Sequence, residues 1–297
     1  MQFPLIKNAS QGAKLLTFIL LLIFGLLFSS ILSAFFLLSG EGMNDITNLQ
    51  IGQVISQVFG FMLPPILYVM LVKEKPFNYL GFKKLQPWSL LGIVAIFTVI
   101  PFLAMVTEWN DNVSLPESMA TLEQMLRNIQ QLANDTTEKF MTEGSLFSGL
   151  LIVAALAAIS EELLFRSVIQ KAFIKICKNA HVGIILTAIV FSAFHGDFFG
   201  FVPRFILGLM LGYMFYLSGS IFPSMLMHFV NNGTIVMLYY LNKKEVINVD
   251  IETFGLTDNV LVIALSLIVT VAIFVVCYRF RNKEADARGA SLLNNGD

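Results

Sequence analysis

Long apolar runs separated by short polar segments dominate the chain, at about 15–38, 51–72, 89–107, 146–170, 181–196, 202–217, 221–241 and 259–278. Runs near ~20 residues match the ~30 Å hydrocarbon core of a bilayer, where a spanning helix pairs every backbone N–H and C=O within itself. The pattern therefore predicts an all-α, polytopic membrane protein of about eight transmembrane helices. Pro64 and Pro65 in the second run and Pro101 in the third predict kinks. The fifth and sixth runs are short for a perpendicular crossing. The first run is too long for the apolar core of a signal peptide and is expected to be a retained anchor helix.

The longest connection, Glu108 to Gly144, is acidic. Within it Met119, Leu122, Met125, Leu126, Ile129 and Leu132 recur at the spacing of an amphipathic helix, with Ser114 and Pro116 as start signals. Such a helix lies on the membrane surface or caps the bundle; a substrate-gating lid is the sharper alternative. The expected organisation is a three-helix membrane segment over 1–110, an extracytoplasmic loop with this helix over 111–144, site-bearing helices over 145–242, a loop and last span over 243–281, and a disordered polar tail over 282–297.

Composition agrees with a lipid solvent: 56% of the residues are hydrophobic and 13% charged, about half the charge of a soluble domain. The net charge of -1 hides a segregation of sign. With both termini inside, the inner segments hold thirteen basic residues (Lys7, Lys14, Lys73, Lys75, Lys83, Lys84, Lys171, Lys175, Lys178, Arg279, Arg281, Lys283 and Arg288). The outer segments hold five, Arg127, Lys139, Arg204, Lys243 and Lys244. That bias predicts an integral, multi-pass protein with both termini cytoplasmic, in a bacterial plasma membrane. Cys177 and Cys277 give neither a disulfide framework nor a metal pair, and nothing points to a nucleic-acid partner.

Against this background a few polar residues stand out. Glu161, Glu162 and Arg166 interrupt an apolar helix, and a charge at bilayer depth costs about 2.5–3.5 kcal/mol on insertion scales. Glu162 and Arg166 are four apart and share a face, so they can pair within the helix, leaving Glu161 as the freer carboxylate and a candidate general base. His195 ends the fifth run with Phe191 one turn earlier; His228 lies in the seventh with Asn232 one turn later and Asn231 nearly as well placed. His181 reads as an interfacial residue and Asp197 as an outer-boundary acid. Gly208, Gly212 and Gly219 read as sites of close helix packing. One difficulty is depth: as straight spans, Glu161 sits near mid-membrane, His195 near the outer end and His228 in the inner half.

At these residues the chain resembles the CPBP intramembrane proteases, the CAAX-protease and bacteriocin-processing or Abi family. Its three motifs are matched in order by Glu161-Glu162-Leu-Leu-Phe-Arg166, Phe191-Ser-Ala-Phe-His195 and His228-Phe-Val-Asn-Asn232, with Ser167 where the family often has Gly. The resemblance covers roughly 146–241. It implies an intramembrane endopeptidase acting on a membrane-associated protein or peptide, possibly lipid-modified, with membrane lipids as its surroundings. Glu161 and His195 would activate a water, and His228 and Asn232 would stabilise the oxyanion. The resemblance leaves a divalent metal open. Glu161, His195 and His228 are zinc-competent, whereas Asn232 is a poor zinc ligand that a metal-free glutamate mechanism explains better.

Other chemistries fit the chain less well. Neither His195 nor His228 opens a His-Glu-x-x-His motif, Gly196-Asp197 lacks the Gly-x-Gly-Asp setting, and Ser218-Gly219-Ser220 lacks the Gly-x-Ser setting of a serine dyad. The alternatives from other classes are a proton-coupled transporter, for which the chain shows no repeated halves, and a catalytically silent membrane scaffold.

Overall fold

The computed structural model describes residues 5–38, 45–73 and 75–281; the expected disordered tail at 282–297, with Lys283 and Arg288, lies outside them. The described residues form helices and no strand. In chain order these are α1 (Gln11–Leu37), α2 (Ile46–Val72), α3 (Pro76–Leu80), α4 (Pro87–Thr98), α5 (Ile100–Asp111), α6 (Ala120–Glu143), α7 (Leu146–Cys177), α8 (Ala180–Ala193), α9 (Phe201–Ser218), α10 (Ile221–Lys243) and α11 (Val260–Phe280).

Six of these helices, α1, α2, α7, α9, α10 and α11, are long and apolar enough to cross a membrane, and the bent pair α4–α5 makes a seventh crossing if taken as one span. The expected eighth, over 181–196, is the helix α8, whose 14 residues rise only ~21 Å and fall short of the hydrocarbon thickness. The bend between α4 and α5 is 48° and falls at Val99, just ahead of Pro101. A proline ring clashes with the carbonyl four residues earlier and offers no N–H to it, so the chain breaks there. Pro64 and Pro65 act differently: α2 runs on through them, with a π-helical stretch at Ser56–Met62 absorbing the misfit.

Where α10 begins accounts for how His228 comes within 3.2 Å of Glu162. Helix α10 starts inside the protein, with Ile221 in one buried cluster with Leu80, Phe165 and Val168 of α3 and α7. The chain from α3 onward folds inward beneath it. Its backbone is satisfied by neighbours: Ile221 donates its N–H to the Gly81 carbonyl at 2.9 Å, and the Ser167 and Ser220 hydroxyls donate to Leu80 and Lys83 carbonyls at 2.5 and 2.8 Å. Irregular backbone away from water is tolerated when protein groups pair it in this way. Because α10 starts partway in, its second turn reaches the level of the glutamates. His195, at the end of α8, is set beside Phe191, whose ring also meets that of His228.

Helix α8 lies between α7 and α9. A Cβ on Gly208 of α9 would stand 3.2 Å from Ala188 Cα, so glycine there permits the close approach expected of it. Gly219 has another role: at φ 63° it ends α9 in the left-handed conformation that L side chains avoid.

Helix α6 carries the amphipathic pattern expected at 119–132. Phe140 and Met141 near its C-terminal end are buried, and it packs on α2 and α10, while Leu122, Met125, Ile129 and Leu132 are exposed along its earlier turns. Arg127 anchors it, donating to the Asp111 side chain at 3.0 Å and stacking 3.4 Å from the Phe199 ring centre.

Candidate active site

Helix α7 supplies the acids. Its 32 residues are α-helical around the glutamates, over Ala157–Leu164, and π-helical on either side, over Gly149–Leu156 and Phe165–Gln170. A π turn widens the helix and rotates the residues beyond it, and such turns gather at functional sites. Every residue from Ser160 to Gln170 is buried. Glu162 and Arg166 are both fully inaccessible and form the expected ion pair, with Arg166 Nε donating to Glu162 Oε2 at 2.9 Å. The two remaining guanidinium nitrogens make no protein hydrogen bond, and the Arg166 guanidinium lies 5.0 Å from the Phe191 ring centre.

His228 joins this pair from α10. Its Nδ1 is 3.2 Å from Glu162 Oε1, and its Nε2 is 3.8 Å from Glu161 Oε2. A carboxylate accepts, so the imidazole donates from Nδ1 to Glu162. Both oxygens of Glu162 are then committed, one to Arg166 and one to His228. Glu161 differs. Its Oε1 takes a 3.4 Å hydrogen bond from Gln57 Nε2, and its Oε2 has no hydrogen-bond partner.

Gln57 belongs to the π stretch of α2 and was not anticipated as a site residue. Its amide oxygen also accepts from Ser160 Oγ, so it bridges the residue before Glu161 to the carboxylate itself. The signal was a glutamine in the middle of an apolar span, the same anomaly that marked the glutamates.

His195 lies just past the end of α8, and its Nδ1 is 2.9 Å from the Phe191 carbonyl oxygen. A carbonyl only accepts, so the neutral ring carries its proton on Nδ1 and keeps a lone pair on Nε2. The Phe191 ring stands between the two histidines, 5.1 Å from the His195 ring centre and 5.9 Å from that of His228. His195 is exposed, unlike the buried His228. The segment after it is held by Asp197, which accepts from the Phe199 and Gly200 backbone N–H groups at 3.1 Å and from Arg204 at 2.7 Å. Asp197 thus positions the loop.

Asn232, one turn beyond His228, donates from Nδ2 to the Val153 carbonyl at 3.0 Å, and its Oδ1 accepts from Asn231 at 3.1 Å. It ties α10 to the first π stretch of α7, and one amide hydrogen remains for another acceptor. His181, at the start of α8, pairs with the Tyr213 hydroxyl at 2.9 Å and stands apart from the site.

The conditional metal set fares less well. Among the described residues no group of three or more His, Cys, Asp or Glu side chains is arranged to hold a metal ion. Glu161, His195 and His228 are not drawn together into such a group.

Residues 143–234 match the family model described as type II CAAX prenyl endopeptidase Rce1-like. That stretch contains all three motifs, so the similarity to the CPBP and CAAX proteases holds for the segment that builds the site. It supports a CAAX protease-type intramembrane endopeptidase in general terms, acting on a protein or peptide substrate in an integral membrane setting. No curated protein and no solved structure matches the chain.

Proposed function

We propose that the protein hydrolyses a peptide bond of a membrane-associated substrate, with Glu161 as the base that activates water. The observation that carries this is the division of labour between adjacent carboxylates. Glu162 spends both oxygens on Arg166 and His228, while Glu161 Oε2 has no hydrogen-bond partner and faces His228 Nε2 at 3.8 Å. A carboxylate with an open oxygen in a dry site can take a proton from water, and general-base help of this kind is worth ~10²–10⁴-fold. His195 Nε2 keeps its lone pair and can share the water or pass its proton to the leaving amine.

The tetrahedral oxyanion would be met by His228 and Asn232. His228 already donates from Nδ1 to Glu162, so donation from Nε2 requires a second proton on the ring. Asn232 would use its remaining amide hydrogen. Fixed donors of this type contribute about 3–4 kcal/mol where one has been removed. Arg166 neutralises Glu162 and keeps the paired site from accumulating negative charge. The bias of Lys and Arg supports a topology with both termini at the cytoplasmic face. The substrate is a peptide or protein at the membrane, with a lipid-modified C-terminus as the class the family description suggests.

The test is cleavage of prenylated and leader-type peptides by purified full-length protein in liposomes, with Glu161→Gln, His195→Gln and Glu162→Gln variants beside it. Loss of cleavage in Glu161→Gln with its fold intact is the expected result. Undiminished cleavage by that variant overturns the assignment, and solute uptake without cleavage by any sample would point to a transporter.

A further inference from the structure

Gln57 of α2 lies outside the matched stretch 143–234, yet it touches the carboxylate that the peptidase reading makes the base. It is 5% exposed, in the middle of an apolar span where lipid offers its amide no partner. Both ends of the amide are committed to protein groups instead. Nε2 is 3.4 Å from Glu161 Oε1, and the amide oxygen meets the hydroxyl of the fully buried Ser160.

Chemistry sets the direction of this chain of contacts. A carboxylate only accepts, so Gln57 presents Nε2 to Glu161 and its oxygen to Ser160. The Ser160 hydroxyl has one proton and three acceptors in reach: the Gln57 amide oxygen, the Leu156 carbonyl at 2.8 Å and the Ala157 carbonyl at 3.1 Å. Two acceptor oxygens do not stay in contact without a proton between them, so the hydroxyl turns to Gln57. Ser160 thereby fixes the amide, and the amide fixes Glu161 Oε1. The oxygen left open is Oε2, which faces His228 Nε2 at 3.8 Å.

The surrounding helices hold Gln57 in place. It belongs to the π stretch Ser56–Met62, which packs on α1 and on the acid-bearing turns Ala157–Leu164 of α7. The approach to α1 is close: a Cβ on Gly25 would stand 2.6 Å from the Phe59 carbonyl oxygen, and one on Gly60 would stand 3.0 Å from Ser29 Oγ. We propose that Gln57, oriented by Ser160, is a positioning residue for the base: it ties down one oxygen of Glu161 and so determines that the other takes the proton from water. The inference rests on Glu161 as that base. It extends the working parts of the site to the N-terminal helices, which the family match does not reach.

The experiment compares the full-length parent with Gln57→Met, Ser160→Ala, the double variant and Glu161→Gln in liposomes. Steady-state cleavage is followed on a prenylated or leader-type peptide that the parent cuts, and infrared spectra are recorded on the same samples. Gln57→Met keeps the length of the side chain and removes the donor, while Ser160 can turn to the Leu156 carbonyl, so no buried donor is stranded. It should lower kcat about 2- to 10-fold, the equivalent of one hydrogen bond, with KM and the unfolding midpoint near the parent's. Ser160→Ala should act in the same sense, and the double variant should fall no further than Gln57→Met, because both changes break one chain of contacts. The carboxyl band lost in Glu161→Gln should shift in Gln57→Met. An unmoved band, fully additive losses, or a fall in kcat matched by a fall in the unfolding midpoint overturns the positioning role. So does parental kcat in Gln57→Met beside an inactive Glu161→Gln, a result that leaves the base itself standing. Full cleavage by Glu161→Gln instead removes the base, and this inference with it.

Discussion

Helices α7 and α11 are both membrane-length, yet they are built for opposite surroundings. Half of the most apolar stretch of α7 is buried in the protein, against 17% of that of α11. The more hydrophobic helix is the more exposed, with Leu261, Leu265 and Ile268 turned outward. In water this would be inverted. In lipid, apolar surface gains little from burial, and what drives helices together is close packing and the pairing of polar groups. So α7 is drawn to the centre by Ser160, Glu162, Arg166 and Gln170, all fully buried. Helix α11 is attached by far less: Thr270 shares a 2.9 Å hydroxyl contact with Thr98, and Ser266 donates to the Thr98 carbonyl at 2.6 Å.

That contrast can be broken, first and most strongly, at the acids of α7. Glu161→Gln should lower peptide cleavage by ~10²–10⁴-fold while leaving the unfolding midpoint near that of the parent, because Gln57 can pair with an amide oxygen as with a carboxylate. A parallel fall in activity and stability would mean that Glu161 serves the fold and not the chemistry. Arg166→Leu should behave in the opposite sense. It removes the guanidinium from a fully buried Glu162, and breaking a buried pair from one side costs about 3–5 kcal/mol, read as a shift of the denaturation curve in detergent.

Smaller effects sharpen the comparison. Gln57→Leu removes one hydrogen bond to Glu161, a loss of about 0.5–1.5 kcal/mol, and should lower kcat several-fold with KM little changed. A change confined to KM would place Gln57 in substrate binding. The smallest expected effect is in α11: Thr270→Val should cost about 0.6 kcal/mol, the average for a hydrogen bond between membrane helices, and leave cleavage unaltered. A Thr270→Val loss as large as that of Arg166→Leu would remove the distinction between the helices.

The amphipathic helix α6 shows how legibility ends at a residue's surroundings. Its spacing of Met119, Leu122, Met125, Ile129 and Leu132 announced an amphipathic helix, and α6 is one. Its exposed stripe and its anchor through Arg127 to Asp111 depend on where α5 ends and where Phe199 falls. Gln57 is a parallel case. It is visible in the sequence as a polar residue in an apolar run, but its partner Glu161 is 104 residues away, and no local pattern joins them.

From the sequence alone follow the lipid solvent, the helical class and the candidate site side chains. Apolar runs must be helical in lipid, charges within them are too costly to be idle, and a spacing of four puts Glu162 and Arg166 on one face. Tertiary structure alone decided that α10 would begin inside the protein, next to the stretch paired by Ser167, and that His228 would thereby reach Glu162. The reason is one of range. Helical periodicity acts over three or four residues, whereas the depth at which a helix starts is set by what lies beneath it. Here that is an inward-folded stretch after α2, whose backbone is paired by Ser167, Ser220 and Ile221.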